Sequence, residues 1–308
     1  MQPIEVITLF TIPKAFEEPF ARIQRNALGS WRALSNTAEI IVLGGEAGSA
    51  EAARAVGAHH LPSVEVTSAG TPRVDAVFAA AEQTAENDLM AYVNADIILL
   101  PDFLSAVAAV ARRWPQFLMV GQRWDLDFES ELDLAAPGWQ DALRREVQTR
   151  GKLHPQSGID YFVFRRGLWQ EIPPFAVGRT MWDNWLIYSA RARRVPVVDA
   201  TAAVTAVHQN HDYSHAAGGW QGVWKGPEAE LNMALAGGLD HYFTIADASH
   251  RLRAGRLTRA LDWAHLRRGW HTLPVLSPAA GRLHRLARAA GALLYQARRQ
   301  VARWRGRT

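Results

Sequence analysis

Leu89-Met-Ala-Tyr-Val-Asn-Ala-Asp96 is a hydrophobic run with a carboxylate at its end. The apolar residues predict a buried strand, and the C-terminal edge of an open α/β sheet is where ligands bind. A carboxylate there can ligate a divalent cation, which neutralises a diphosphate and favours its departure. The same acid could instead cap a following helix. A second concentration of chemistry is Ala206-Val-His208-Gln-Asn-His211-Asp-Tyr-Ser-His215, with three histidines in eight residues after a β-rich stretch. Core packing is a poor explanation for so many imidazoles at a strand end. A third is Gly178-Arg-Thr-Met-Trp182-Asp183-Asn-Trp185, where two tryptophans flank an acid. Such a group suits a pocket that stacks a sugar, the alternative again being a helix cap.

The elements that must position these residues follow from pattern. Up to residue 120, short β-rich runs alternate with helical segments, the signature of a mostly parallel sheet flanked by helices. Strands are expected at 5–10, 39–43, 63–66, 89–93 and 117–121. Helices are expected at 20–34, 50–56 and 101–114, with another opening at Thr71-Pro72 and running to Glu82. Residues 122–157 are acidic and irregular and read as a solvated connection. Ile159–Phe164 is a strand with Asp160 at its start, Trp182–Ala192 a helix, and 195–207 one or two strands. After Trp220 the pattern turns helical. One α/β domain over 1–245, with halves at about 1–121 and 122–245, and a helical basic extension over 246–308 are therefore expected.

Composition narrows the function classes. The chain has 308 residues, 48% of them hydrophobic and 21% charged, with no cysteine. Thiolate metal sites, disulfides and cysteine nucleophiles are thereby excluded, and a reducing cytoplasm fits. No window is long and apolar enough for a membrane-spanning helix, and the first residues read as a strand rather than a signal peptide. Charge is segregated: from Arg251 onward 14 arginines face a single acid, Asp262, while the preceding residues carry 20 basic and 29 acidic groups. Leu283, Leu286, Ala290, Leu293, Ala297, Val301 and Trp304 recur at helical spacing, flanked by arginines from Arg282 to Arg305. That is the pattern of a helix lying on an anionic membrane surface, or of one docked on the acidic body. No nucleic-acid module is recognised, so no nucleic-acid partner is expected.

Several segments, in order and spacing, resemble the N-terminal half of glycosyltransferase family two over roughly residues 1–120. They are Glu39-Ile-Ile-Val-Leu-Gly-Gly-Glu-Ala-Gly-Ser, Ala52-Ala-Arg-Ala-Val-Gly-Ala, Ser68-Ala-Gly-Thr-Pro-Arg-Val-Asp-Ala-Val-Phe-Ala-Ala-Ala and Tyr92-Val-Asn-Ala-Asp-Ile-Ile-Leu. The resemblance implies a GT-A fold, a nucleoside-diphosphate-sugar donor (UDP-linked) and a divalent metal. In that family the last segment carries an Asp-x-Asp motif for metal and donor diphosphate. Here it reads Asn94-Ala95-Asp96, which leaves the metal role to Asp96 and a hydrogen bond to the donor's ribose or phosphate to Asn94. Thr11 and Glu46 stand where the family reads the nucleoside, and Arg73 where it approaches the phosphates.

The same resemblance implies that Asp183, 87 residues after Asp96, is the general base of an inverting transfer. Asp160, Trp182, Trp185, His211 and Trp220 would face the acceptor, a glycan or lipid-linked glycan. A late histidine, His208 first and His211 next, would complete the metal site. Imidazole with carboxylate suits manganese, with magnesium second. Ala216-Ala-Gly-Gly-Trp-Gln-Gly-Val-Trp-Lys-Gly has the composition of a mobile lid, with Glu228 and Asn232 one helical turn apart behind it. Competing readings are a retaining transferase, a sugar-phosphate nucleotidyltransferase, a degenerate transferase, and a non-catalytic protein that binds membrane or nucleic acid through its basic tail.

Overall fold

The central strands are continuous apolar runs because both faces of their sheet are covered. In the computed structural model, which describes residues 6–211, 224–277 and 279–282, Ile7–Thr11 (β1) and Leu89–Val93 (β4) are buried throughout. Glu39–Leu43 (β2) and His59–Leu61 (β3) extend the parallel pairing on one side of β1. On one face, Leu9, Ile40 and Ala91 belong to a buried cluster with Ala27 and Trp31 of Phe20–Leu34 (α1) and Phe103 of Asp102–Ala111 (α4). On the other, Phe10, Tyr92 and Phe164 pack on Phe78 of Val74–Thr84 (α3), and Tyr92 also meets Trp182 of Trp182–Ala192 (α6). Ser49–Ala55 (α2) follows β2.

Among the described residues, nine strands make the main sheet. Beyond β4 come Tyr161–Arg165 (β9), Leu118–Val120 (β6), Val197–Asp199 (β10), His250–Arg253 (β12) and Arg256–Arg259 (β13). β9 runs antiparallel to both β4 and β6, β13 antiparallel to β12, and every other pairing in this sheet is parallel. The expected α/β architecture with a large, mostly parallel sheet flanked by helices is present.

A second sheet of four short strands matters more for chemistry. Ile97–Leu99 (β5) pairs antiparallel with Ala206–Gln209 (β11), which pairs in parallel with Trp124–Leu126 (β7), itself antiparallel to Lys152–Leu153 (β8). Polar groups on α1 fasten it: Trp31 Nε1 donates to Ile97 O at 2.9 Å, and Asn26 Nδ2 to Gln209 Oε1 at 2.8 Å. Gln209 Nε2 returns a bond to Ile23 O at 2.8 Å. Truncating a fully buried tryptophan such as Trp31 costs about 3–5 kcal/mol, so this fastening has energetic weight.

Four expectations are corrected. The third strand lies at 59–61, where partly exposed histidines leave no apolar run to detect. α3 begins at Val74, because the preceding residues form a tight loop tied by β-bridges: Val66 bridges Pro72 across a turn at 68–70, and Arg73 bridges Ala176. Residues 122–157 are not a plain connection but contain β7, β8 and the helix Trp139–Arg150 (α5). After Trp220 the chain is not helical throughout. Pro227–Leu235 (α7) is followed by the β12–β13 hairpin, whose turn places Ala254 at φ 47° and Gly255 at φ 72°. Two consecutive positive φ angles match the twist of a tight hairpin.

The chain divides into two compact units after Ala260, the second holding Trp263–Leu276 (α8). Among the described residues, no helix is long and apolar enough to cross a membrane. The stripe from Leu283 to Trp304 lies outside the described residues, as do His215, Trp220 and the glycine-rich run over 216–223.

Candidate functional site

β1 and β4 are adjacent parallel strands from which successive connections leave in opposite directions, β2 and β3 lying on one side and β9 on the other. That reversal opens a crevice beyond their C-terminal ends. Thr11 ends β1, buried, its Oγ1 without a hydrogen-bond partner among the described residues. Asn94, Ala95 and Asp96 form the turn leaving β4, closed by the Ile97 N–H on Asn94 O at 3.1 Å. Ala95 is buried, as a tight turn under a sheet edge requires.

The small sheet brings the histidines to this turn. Register places His208 directly beside Ile97 on one side and Asp125 on the other. His208 Nε2 lies 3.6 Å from Asp96 Oδ2, while its Nδ1 lies 3.4 Å from Asp125 Oδ1 and 3.3 Å from Asn210 Oδ1. His211 Nε2 approaches the same Asp96 Oδ2 at 3.2 Å. Ligand atoms of Asp96, His208 and His211 all lie within 4.8 Å of one another.

The arrangement fits a divalent cation on two grounds. Asp96 Oδ1 is buried without a hydrogen-bond partner among the described residues, an unmet acceptor of the kind an ion satisfies. A ligating histidine characteristically gives its other nitrogen to a carboxylate, and Asp125 occupies that place behind His208. Without an ion, Asp96 and His208 pair with each other, so a cation would have to displace the proton they share. Burial works against ionising Asp96, but His208, His211 and Lys14 outweigh it and hold the carboxyl well below its ordinary range. Burial likewise opposes a charged His208, yet Asp96 and Asp125 raise its pKa.

Behind this group lies a partly buried ionic network that joins Asp160 to Arg123, Asp125 and His154, three residues no sequence motif singles out. Arg123 Nη1 donates to both carboxylate oxygens of Asp160, at 2.6 and 2.7 Å, and its Nε to Asp125 Oδ1 at 2.9 Å. His154 Nδ1 meets Asp125 Oδ2 at 2.6 Å. Burial alone would raise the Asp125 carboxyl, but His208, His154 and Arg123 together hold it far below normal. Asn94 Nδ2 donates to Asp160 Oδ1 at 2.8 Å, and its backbone N–H to Asp160 O at 2.9 Å. The available signal was the alternation Arg123-Trp-Asp125-Leu-Asp127, a strand pattern with polar groups on one face.

Asp183 sits in the first turn of α6, after Met181 in a positive-φ conformation (φ 86°). Burial pushes its pKa up to about 7, and the charge of Asp160 adds to this. The N–H groups of Asn184 and of Asp183 itself, with Arg123, pull the other way. Asp96, Asp160 and Asp183 all bear on one group, the buried Tyr92 phenol: burial raises its pKa first, and the three carboxylates add to it.

The remaining candidates are placed differently. Trp182 is buried between Tyr92 and Phe162, its rings 5.5 and 5.6 Å from theirs, so its indole is part of the core. Trp185 meets Phe175 edge-on at 5.6 Å. Arg73 is engaged by Glu65 and Asp75. Glu46 is exposed in the loop after β2. Glu228 accepts from Thr67 and Thr71 hydroxyls at 2.7 and 2.8 Å and pairs with Arg179 at 3.0 Å. Asn232 bonds the backbone of Ala176 and Thr180, so both residues fasten α7 to the loops before α3 and α6.

No protein-family model and no curated protein sequence matches the chain. Among solved structures it is similar to glucosyl-3-phosphoglycerate synthase from Mycobacterium tuberculosis in complex with phosphoglyceric acid, at 17% identity and TM-score 0.46 over 77% of this chain and 80% of that one. The same enzyme in complex with Mn2+, uridine diphosphate and glucosyl-3-phosphoglycerate gives 16% identity and TM-score 0.44 over 76% and 81%. S. aureus TarS, residues 1–349, gives 11% identity and TM-score 0.41 over 67% and 58%.

Proposed function

We propose that this chain is a metal-dependent glycosyltransferase of the GT-A type, moving a sugar from a UDP-linked donor to a hydroxyl acceptor with inversion at the anomeric carbon. One observation carries the reading. Asp96, of a three-residue group able to hold a divalent cation, and Asp183, whose pKa is pushed up to about 7, both act on the Tyr92 phenol, on the strand beside the crevice. Cation site and tunable base are the two functions such a transfer needs.

A divalent cation, manganese in the first place, would be held by Asp96 and His208 and would neutralise the departing diphosphate. Asp183 accepts the proton of the acceptor hydroxyl as its oxygen bonds to the anomeric carbon. The bond from that carbon to the diphosphate oxygen breaks on the opposite face, and its electron pair leaves with the nucleoside diphosphate. A base with pKa near 7 is matched to neutral pH, where it is ionised in a large fraction of molecules yet basic enough to take a proton. Arg123 and Asn94 fix Asp160 beside this path, so that its charge has one position. Thr11 lies at the sheet edge where the nucleoside would enter.

The acceptor in this reading is a glycan or lipid-linked glycan, met at the cytoplasmic face of an anionic membrane. The second compact unit supports it. Over 261–308 there are 10 arginines and one acid, and α8 exposes Trp263, Leu266 and Trp270. Apolar rings with surrounding arginines suit a lipid headgroup layer.

Thermal stabilisation by UDP, GDP, CMP and dTDP, each with manganese and with a chelator, tests the donor class. Stabilisation by UDP only when metal is present is expected. A folded protein that responds to none of them with metal present is not a nucleotide-sugar transferase.

A further inference from the structure

The acid missing at position 94 has a structural explanation that also relocates a metal ligand. Asn94 is taken up by Asp160. Its side-chain amide donates to Asp160 Oδ1 at 2.8 Å, and its backbone N–H takes the Asp160 carbonyl at 2.9 Å. An aspartate there would set a second carboxylate against Asp160, whose charge Arg123 already matches in a site with little water. An amide is the side chain of that size able to donate to Asp160, so position 94 is committed to holding Asp160 and not to binding metal.

We propose that His211 supplies the ligand that position 94 does not, making the centre one carboxylate and two imidazoles: Asp96, His208 and His211. Ligand atoms bound at about 2.1 Å to a common ion lie about 3–3.5 Å apart when adjacent. His211 Nε2 is 3.2 Å from Asp96 Oδ2 and His208 Nε2 is 3.6 Å from it, so these two spacings need only small adjustments, and ligand atoms of all three residues already lie within 4.8 Å of one another. The His211 side chain is as buried as that of His208, and its ring is set edge-on against Phe20 at 5.0 Å. The second observation pointing to an ion is Asp96 Oδ1, buried and without a hydrogen-bond partner among the described residues.

The ligand set has a chemical consequence. Two imidazoles and one carboxylate favour borderline first-row cations such as manganese, cobalt and zinc over magnesium, which prefers oxygen. The centre is also less negative by one charge than one with an acid at position 94. The inference deepens the transferase reading, but the cation site itself stands on side-chain geometry and is testable without any donor.

The test is a titration of the full-length protein with manganese chloride, followed by calorimetry, and with cobalt chloride, followed by visible absorption, with no nucleotide present. Wild type is expected to bind both ions, manganese at least tenfold more tightly than magnesium. H211A and the size-conserving H211Q should each lose at least tenfold in manganese affinity and change the cobalt spectrum, as H208A does. Chelator-treated samples compared by circular dichroism identify variants that fail to fold, and H211Q then carries the test if H211A is lost. N94D should gain no affinity. Wild-type affinity in a folded H211Q, a tenfold gain in N94D, or failure of wild type to bind either ion would overturn the proposal. If manganese binds as stated while no nucleoside diphosphate raises the melting temperature, the metal centre stands and the transferase reading falls.

Discussion

Arg123 holds Asp160 through a single nitrogen, with Nη1 2.6 and 2.7 Å from the two carboxylate oxygens, in a pair almost closed to solvent. Its Nε donates to Asp125, which in turn accepts from His154 Nδ1. The guanidinium thereby joins the strand that carries Asp125 to the start of the strand after Asp160, tying small sheet to large. Burial disfavours its charge, but Asp160, Asp125 and Asp96 outweigh that and raise its pKa.

Removing one partner of such a pair strands the other charge. R123A is expected to lower unfolding free energy by about 3–5 kcal/mol, read from urea unfolding at pH 7. R123M with D160N, which removes both charges, should recover a good part of that loss. If R123A unfolds at wild-type urea concentration, the pair has no structural weight.

Asp183 makes two pH predictions of opposite kind. Transfer should fall about tenfold per pH unit below about 7, because the base is then protonated, and level off above it; D183N should abolish transfer while sparing UDP binding. For stability, the folded carboxyl keeps its proton up to about pH 7, whereas the unfolded one loses it near 3.8. Between those values the folded state binds more protons, so this group makes wild type less stable as pH rises, with no further change above 7. D183N should lack that decline, so its melting temperature should exceed that of wild type at pH 8 and match it near pH 3.5. Equal melting temperatures at pH 8 would mean that the carboxyl is not held in a disfavoured charged state.

Trp182 separates packing from sugar stacking. Its ring lies against Tyr92 and Phe162 in the core, so W182A is expected to cost about 3–5 kcal/mol of stability. A folded W182A of wild-type stability with only a raised KM for acceptor would place the indole in the pocket instead.

The exposed face of α8 predicts adsorption to charged bilayers. Full-length protein should sediment with vesicles containing about 30% phosphatidylserine and stay in solution with phosphatidylcholine alone, with binding lost at 0.5 M salt. The triple substitution W263S, L266S and W270S should weaken sedimentation at least tenfold. Unchanged sedimentation would mean that any adsorption does not use this face.

Legibility in the sequence followed the range of the interaction that places each residue. Asp96, Asp183 and the 208–211 histidines were readable because each is set by its own strand or helix, through a local pattern that survives without knowledge of partners. Arg123, Asp125 and His154 were not, because their setting depends on pairing between β7 and β11, more than 80 residues apart, across strands of three or four residues. Composition also misled. The acids of 122–157 looked like a solvated connection, although Asp125 is neutralised internally by Arg123, His154 and His208. The arginines of 251–259 suggested a basic helix, although Ala254-Gly255 marks the turn of a hairpin at the sheet edge. Trp182 looked like a sugar platform because flanking position alone does not say which face of α6 is inward.

The pairing of β11 with β7 has a consequence for how this gene can change. Side chains alternate along a strand, so a shift by one residue would put Val207 or Gln209 opposite Asp125 and turn His208 to the far side. Gln209 resists that slip through its bonds to Ile23 and Asn26 of α1. A single-codon insertion or deletion among residues 201–205 would have to be absorbed wholly in that turn. If it reached the strand, the protein could keep its large sheet and lose its chemistry in one step, so tolerance to point changes there need not extend to changes in length.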